Sequence, residues 1–198
     1  WVLRFNAAGR RIGAADPTGA ETSFERDALG RITTVTDAHG NRRTYVYDAV
    51  GNVLARTDAY GNRRTFTYDA LGRPASVTLP TAETTRYGYD ALGRRRWIED
   101  PLGNRTLFTY DAAGNLLATE TPMGVTRRFA YDAAGRAVAR VEPGGATYRY
   151  EYDGRGRITA EVDPTGGVRR YHYEENARGN PVAESNRLGA RRTTSYGD

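Results

Sequence analysis

Aromatic and polar residues alternate along this chain in short runs, and the runs recur. The stretch TYVYDAVGNVLARTDAYGNRR, residues 44 to 64, holds two alternating segments, each closed by an Asp-x-x-Gly tetrapeptide. The residue before the first Asp is aromatic in nearly every copy: Phe5, Tyr47, Tyr68, Tyr89, Tyr110, Tyr131, Tyr152, Tyr173 and Tyr196. So is the residue two earlier: Phe24, Tyr45, Phe66, Tyr87, Phe108, Phe129, Tyr150 and Tyr171. Among Phe and Tyr, only Tyr60 and Tyr148 fall outside these columns. Positions two apart on a strand share a face. The columns therefore predict two aromatic ladders along one face of a sheet, built from strands of about six residues.

The repeat length is 21. Asn6, Asp27, Asp48, Asp69, Asp90, Asp111, Asp132, Asp153 and Glu174 are spaced by it without a break, and Gly follows three residues later up to Gly156. The ninth copy, YEENARGN, carries two extra residues and places its Gly at 179. A fixed period of this size marks an array whose members bury little alone and stack on their neighbours.

Each repeat carries two turn signatures. The first is Asp-Ala-x-Gly, as at Asp69-Ala70-Leu71-Gly72; the second is Asp-Pro-x-Gly, as at Asp16-Pro17-Thr18-Gly19 and Asp100-Pro101-Leu102-Gly103. Asp accepts hydrogen bonds from the turn backbone, Pro presets φ, and Gly takes the left-handed conformation, which predicts positive φ at Gly30, Gly51, Gly72, Gly93, Gly114 and Gly135. The Gly-Gly pairs at 144–145 and 166–167 are read as lengthening the second turn, and Thr81-Ala82, in place of Gly, as making the loop near Pro80 irregular.

An odd repeat length raises a register problem. With side chains alternating at period 2, two equal loops per 21 residues would put the aromatic column on opposite faces in successive repeats. A bulge in each repeat would restore it, as would unequal loops. The turn chemistry favours unequal loops: a three-residue Asp-Ala-x-Gly loop with a Gly bulge, and an Asp-Pro-x-Gly loop one residue longer in effect. Across the hairpin, Ile32, Val53, Leu116 and Ile158 should then meet the first ladder, with Ala55, Ala118, Ala139 and Ala160 near the second. The fold class is all-β: about nine repeats in an antiparallel hairpin meander over residues 1–198, a strip long enough that it must twist and curl.

Composition narrows the chemistry. Hydrophobic residues make up 38% of the chain and mean hydropathy is −0.70, which fits a sheet wetted on at least one side. There is no Cys, so disulfides and thiolate metal sites are excluded. No apolar run approaches membrane-spanning length. The net charge is +5, and every basic residue is Arg. These arginines are spread through all the repeats among 24 acids, in no run longer than Arg94-Arg95-Arg96, a pattern that points away from a specific nucleic-acid surface.

The recurring YDAVGN, YDALGR and YDAAGR, each followed at fixed distance by Asp-Pro-x-Gly or its variants, resemble the YD repeat of the Rhs family, found in bacterial Rhs and wall-associated polymorphic toxins, the C component of Tc toxins and the teneurins. The resemblance covers essentially the whole chain. It implies a β-strip that spirals into a hollow shell around a C-terminal toxin, or around a packed interior in teneurins. The implied partners are the rest of the same shell, the enclosed toxin domain and secretion machinery. The implied location is outside the producing bacterium, secreted or at the cell surface. The chain opens inside one repeat and stops inside another, so it reads as a fragment of a longer chain whose end strands lack neighbours. No run resembles the motif that ends the family's shell core, so the resemblance brings no self-cleavage residues; Asp163-Pro164-Thr165-Gly166 continues to Gly167-Val168-Arg169 like an ordinary turn. Arg26 stands where the aromatic is expected before Asp27.

Candidate chemistry is sparse. His39 and His172 lie in different repeats with no acid spaced to complete a metal site, and His39 reads as a turn residue. No Ser sits in a nucleophile-elbow context. The Asp column is explained by turn capping. The reading is no enzyme, no cofactor, no metal and no catalytic residue. One alternative remains, an extracellular adhesive repeat module that binds carbohydrate or a partner surface. Its candidate residues are Trp97, next to Arg94, Arg95 and Arg96 in sequence, Arg95 itself, and Tyr60 at a turn tip.

Overall fold

The computed structural model describes residues 1–173, 183–186 and 188–193. Glu174, Gly179 and Tyr196 lie outside the described residues. The fold is all-β, a repetitive antiparallel hairpin meander, with no helix among the described residues. The chain divides into two compact units. The first holds β1 (Val2–Phe5), β2 (Arg11–Ala15), β3 (Glu21–Arg26), β4 (Ile32–Thr36), β5 (Arg42–Tyr47), β6 (Val53–Thr57), β7 (Arg63–Tyr68), β8 (Pro74–Thr78) and nearly all of β9 (Thr84–Tyr89). Strand β10 (Arg95–Glu99) is divided, Arg95–Trp97 counting with the second unit and Ile98–Glu99 with the first. The second unit continues with β11 (Arg105–Tyr110), β12 (Leu116–Glu120), β13 (Thr126–Tyr131), β14 (Ala137–Val141), β15 (Thr147–Tyr152), β16 (Ile158–Val162), β17 (Val168–His172), β18 (Ala183–Ser185) and β19 (Arg191–Thr193).

Within the first unit each strand from β1 to β9 pairs antiparallel with the next, and within the second each from β11 to β19 does the same. The pairings place the aromatics. Phe24 stands opposite Val35, which stands opposite Arg43, two residues from Tyr45. Tyr45 leads through Arg56 to Arg64, two from Phe66, and Phe66 leads through Val77 to Thr85, two from Tyr87. In the second unit Phe108, Phe129, Tyr150 and Tyr171 are connected in the same way. In each unit the aromatic columns therefore share one face, as the sequence predicts.

The device that keeps them there is the bulge, not unequal loops. Both turns close identically. In the first, the Gly30 amide donates to the Asp27 carbonyl at 2.9 Å and the Asp27 amide to the Arg31 carbonyl at 3.0 Å. In the second, Gly19 donates to Asp16, and Asp16 to Ala20, both at 3.0 Å. The extra residue sits in the strand instead: Val46 pairs with Ala55 but Tyr47 with Val53, so Leu54 is left over, and the same shift recurs before Asp111, Asp132 and Asp153.

This bulge corrects a second expectation. Val53, Leu116 and Ile158 do meet Tyr47, Tyr110 and Tyr152, and Ile32 meets Arg26. Ala55, however, pairs with Val46 and Thr65 on the opposite face. Ala118, Ala139 and Ala160 do likewise, because a bulge between two positions two apart cancels the usual alternation.

Two turn readings are corrected as well. The loop at Pro80 is regular: the Leu79 amide donates to Glu83 at 2.8 Å and the Ala82 amide to Leu79 at 3.0 Å, as in every Gly turn. Ala82 meets the geometry by taking φ +70° itself, a strained value for a residue with a Cβ. The Gly-Gly pairs add no length, since Glu142 bonds to Ala146 and Asp163 to Gly167 across the same five-residue span as the other turns.

The core is thin. Ala55, Ala160 and Ala183 are the buried apolar side chains among the described residues, and no large side chain is fully enclosed. The described column aromatics other than the exposed Phe5 are half-buried against their neighbours. Cohesion comes from cross-strand pairs worth roughly 0.2–1 kcal/mol each, repeated from one hairpin to the next.

Candidate functional site

The turn Asp is the anchor of each repeat. At Asp69, Oδ1 accepts the backbone amides of Leu71 at 2.9 Å and Arg73 at 3.0 Å, while Oδ2 accepts Nε of Arg73 at 2.7 Å. The same pairing joins Asp27 to Arg31, Asp90 to Arg94, Asp132 to Arg136 and Asp153 to Arg157, each at 2.7 Å. The arginine then reaches into the next repeat. Nη1 of Arg31 donates to the Asp48 carbonyl at 2.6 Å, and its guanidinium lies 4.8 Å from the centre of the Tyr47 ring. Arg94 does the same to Asp111 at 2.7 Å and Tyr110 at 4.8 Å, and Arg136 to Asp153 at 3.1 Å and Tyr152 at 4.9 Å.

The tyrosine before each Asp completes the link. Its hydroxyl donates backward to the carbonyl fifteen residues earlier: Tyr47 to Ile32 at 2.7 Å, Tyr68 to Val53 at 2.9 Å, Tyr131 to Leu116 at 3.0 Å, Tyr152 to Ala137 at 2.7 Å and Tyr173 to Ile158 at 2.7 Å. Arg26 takes over this task where the aromatic is missing. Its Nε donates to the Arg11 carbonyl, also fifteen residues back, at 2.9 Å.

Electrostatics follow this geometry. Partial burial tends to raise the Asp27 carboxyl, but the side chain and backbone of Arg31 more than offset it and hold the group below its ordinary value of 3.8. At Asp132 and Asp153 the backbone amides of Arg136 and Arg157 are the leading cause of the same lowering. Burial pushes the phenols of Tyr47, Tyr152 and Tyr173 upward, and the facing arginines partly counter it. Every one of these groups is used for holding repeats together.

The sequence-named residues fall in different units. Tyr60 projects from the β6–β7 turn with 91% of its surface exposed and belongs to the first unit. Trp97 and Arg95 lie on β10 with the second unit. Trp97 takes the repeat position that Ala55 and Ala160 occupy elsewhere, and the Arg105 guanidinium lies 4.5 Å from its ring. The Arg95 carbonyl accepts the Tyr110 hydroxyl at 2.9 Å. His39 sits in a turn, with its amide donating to Asp37 at 2.9 Å. Among the described residues no group of three or more His, Cys, Asp or Glu is placed to hold a metal, and no helix is long and apolar enough to cross a membrane. Sequence reasoning missed the arginine four residues after the turn Asp. Its signal was present, since Arg recurs there at 31, 73, 94, 136 and 157.

Comparison with known proteins matches this architecture. The backbone resembles the crystal structure of TcdB2-TccC3 without its hypervariable C-terminal region, with a TM-score of 0.70 and 18% identity over 92% of this chain and 12% of that one. It also resembles the Photorhabdus luminescens Tc holotoxin pore, with a TM-score of 0.58 and 14% identity over 98% of this chain and 14% of that one. The chain thus spans only about an eighth of the length of these structures' chains. No curated relative matches it significantly. The sequence pattern described as Teneurin YD-shell matches residues 6–195. With that pattern spanning nearly its whole length, and with the hairpin repeats that go with it, the chain belongs to the teneurin YD-shell family.

Proposed function

We propose that this chain is a wall segment of a hollow YD shell that encloses a toxin and carries it out of a bacterial cell, to the extracellular space or the cell surface. The observation that supports this most is the link between repeats. At Arg31, Arg94 and Arg136 the arginine that caps one turn also bonds the carbonyl of the next repeat's turn Asp, so these hairpins hold their successors and the array gains cohesion as such repeats are added. Such a construction suits a wall. The segment's part is mechanical: it excludes proteases and solvent from a cargo, and its side chains are spent on packing and not on catalysis. The partners in this reading are further repeats of the same shell, the toxin domain inside it and the secretion machinery that exports it.

The test is proteolysis of the full-length parent protein. Its C-terminal region should resist digestion while the shell is folded, and should be cut rapidly when expressed without the repeats. Equal cutting rates in the two settings would overturn the enclosure.

A further inference from the structure

The chain leaves its repeat pattern twice near its start, and the structure brings both departures to one link. Asn6 stands where the following repeats carry Asp27, Asp48 and Asp69, and Arg26 stands where an aromatic precedes the turn. In other links the arginine lies over the ring sixteen residues on: Arg31 over Tyr47, Arg94 over Tyr110, Arg136 over Tyr152 and Arg157 over Tyr173. The same step from Arg10 reaches Arg26, a second cation. This link has lost its carboxylate and its ring together.

Asn6 can do only half of the work of an Asp. Its Oδ1 accepts the amides of Ala8 at 3.1 Å and Arg10 at 2.9 Å, as the turn requires. The other arm of the side chain is then an NH2 donor, where an Asp would offer Oδ2 to the arginine. The Arg10 guanidinium lies instead against Gly30, in the space that a Cβ would fill, and makes no hydrogen bond or ion pair among the described residues. Arg26 comes to the same glycine: its Nη1 donates to the Gly30 carbonyl at 2.8 Å and its Nε to the Arg11 carbonyl at 2.9 Å. The acids of this region are matched elsewhere. Glu21 pairs with Arg4 at 2.8 Å, Glu25 with Arg42 at 3.1 Å and Asp27 with Arg31 at 2.7 Å. Asp16 caps the turn at the far end of β2, accepting the Thr18 hydroxyl at 2.6 Å. Arg10, Arg11 and Arg26 form no ion pair among the described residues, and Arg11 packs 5.1 Å from the centre of the Phe24 ring.

We propose that this link binds a phosphate group, held by the guanidinium groups of Arg10 and Arg26 beside Gly30. The bound anion takes the place of the carboxylate that the other links carry within themselves. A guanidinium offers its donors as a planar fork that matches phosphate oxygens in pairs, and hydrogen bonds between ionised groups are the strong ones. Phosphate suits the place better than a carboxylate does. It carries close to two negative charges at neutral pH, against three arginines without an ion pair, and its tetrahedral oxygens can accept from two guanidinium groups that approach from different strands. Arg10 is exposed, so a free phosphate and the phosphate of a small monoester can both reach it. The site is independent of the shell reading, and neither depends on the other's test.

The experiment titrates the full chain with inorganic phosphate, glycerol 2-phosphate, acetate and chloride at matched ionic strength, and follows the backbone amide signals of Gly30 and Arg31 by NMR. Phosphate should shift them to saturation, and acetate and chloride should not do so in the same range. Saturation by glycerol 2-phosphate as well assigns the site to a phosphate monoester; saturation by inorganic phosphate alone assigns it to the free ion. Asn6→Asp with Arg26→Tyr restores the ordinary link, as at Asp27 and Tyr47, so the variant should fold, and it should bind phosphate at least tenfold more weakly. Arg10→Ala changes one exposed side chain and should weaken binding to a similar degree. Arg128→Thr with Arg149→Thr makes the same change in net charge in the second unit and should leave binding unchanged. The proposal is overturned if acetate binds as tightly as phosphate, if either variant of the link keeps its affinity, or if the Arg128/Arg149 variant loses as much as they do.

Discussion

The Asp27 and Asp48 turns have the same backbone and different reach. Both close with the same pair of amide–carbonyl bonds, and both carboxylates accept the amides of their own loop. They differ at the fifth residue. Arg31 holds Asp27 at 2.7 Å and extends to Asp48 and Tyr47 of the next repeat. Asn52 holds Asp48 at 2.8 Å, and its shorter side chain has nothing left to extend. Asn recurs in this role at Asn115, bound to Asp111 at 2.9 Å. A turn can thus be locally complete without contributing to cohesion between repeats, and one residue decides which kind it is.

The largest effect should come from removing the reach. Arg31→Ala loses a charged hydrogen bond to a carbonyl and a ring contact, together worth about 2 kcal/mol, whereas Asn52→Ala should cost clearly less. Urea unfolding of the two variants measures the difference, and equal losses would break the comparison.

A second pair of turns separates backbone from side chain. Gly72 has φ +74°, and an added Cβ would meet only Asn52 Oδ1, at an ordinary 3.9 Å, so Gly72→Ala should cost about 1–2 kcal/mol from backbone strain. Ala82 already bears that strain, and Ala82→Gly should stabilise by about 1 kcal/mol, less whatever the unfolded chain gains in freedom. A loss of stability in Ala82→Gly would show that the turn relies on the Ala82 side chain.

Tyr47→Phe keeps the ring for Arg31 but gives up the bond to Ile32, a loss of about 1 kcal/mol in the same unfolding measurement. Acid should weaken both turns. The turn carboxyls titrate below 3.8 when folded, so their contribution is intact above the ordinary carboxylate range and is lost as pH falls through the lower folded values. Thermal midpoints should hold steady from neutral pH to about pH 5 and drop below about pH 4. A midpoint that rises on acidification would contradict the assignment.

The period, the two turns, the aromatic face and the left-handed glycines could all be read from spacing, because each recurs and each has one simple physical cause. The position of the extra residue could not. Parity demands one irregularity per repeat but is satisfied equally by a longer loop or by a bulge at Leu54, and only the identical closure of both turns decides. The same ambiguity put Ala55 on the wrong face. Ala82 was misread because Gly was taken as a requirement of the turn, when the turn imposes its φ on whatever residue is there. The arginine link was hidden in plain composition. Spread evenly, the arginines read as a solvated surface, and only the distances from Arg31 to Asp27, Asp48 and Tyr47 reveal their common task.

Residue-level amide hydrogen exchange in Arg31→Ala and Asn52→Ala tests most directly whether cohesion passes from repeat to repeat through the turn arginine. In Arg31→Ala, protection should fall in the following hairpin, at Tyr47 and Asp48, as well as in the Asp27 turn. In Asn52→Ala the loss should stay within the Asp48 turn. If the Arg31→Ala loss is confined to its own turn, the arginine is a local cap and the account of cohesion is wrong.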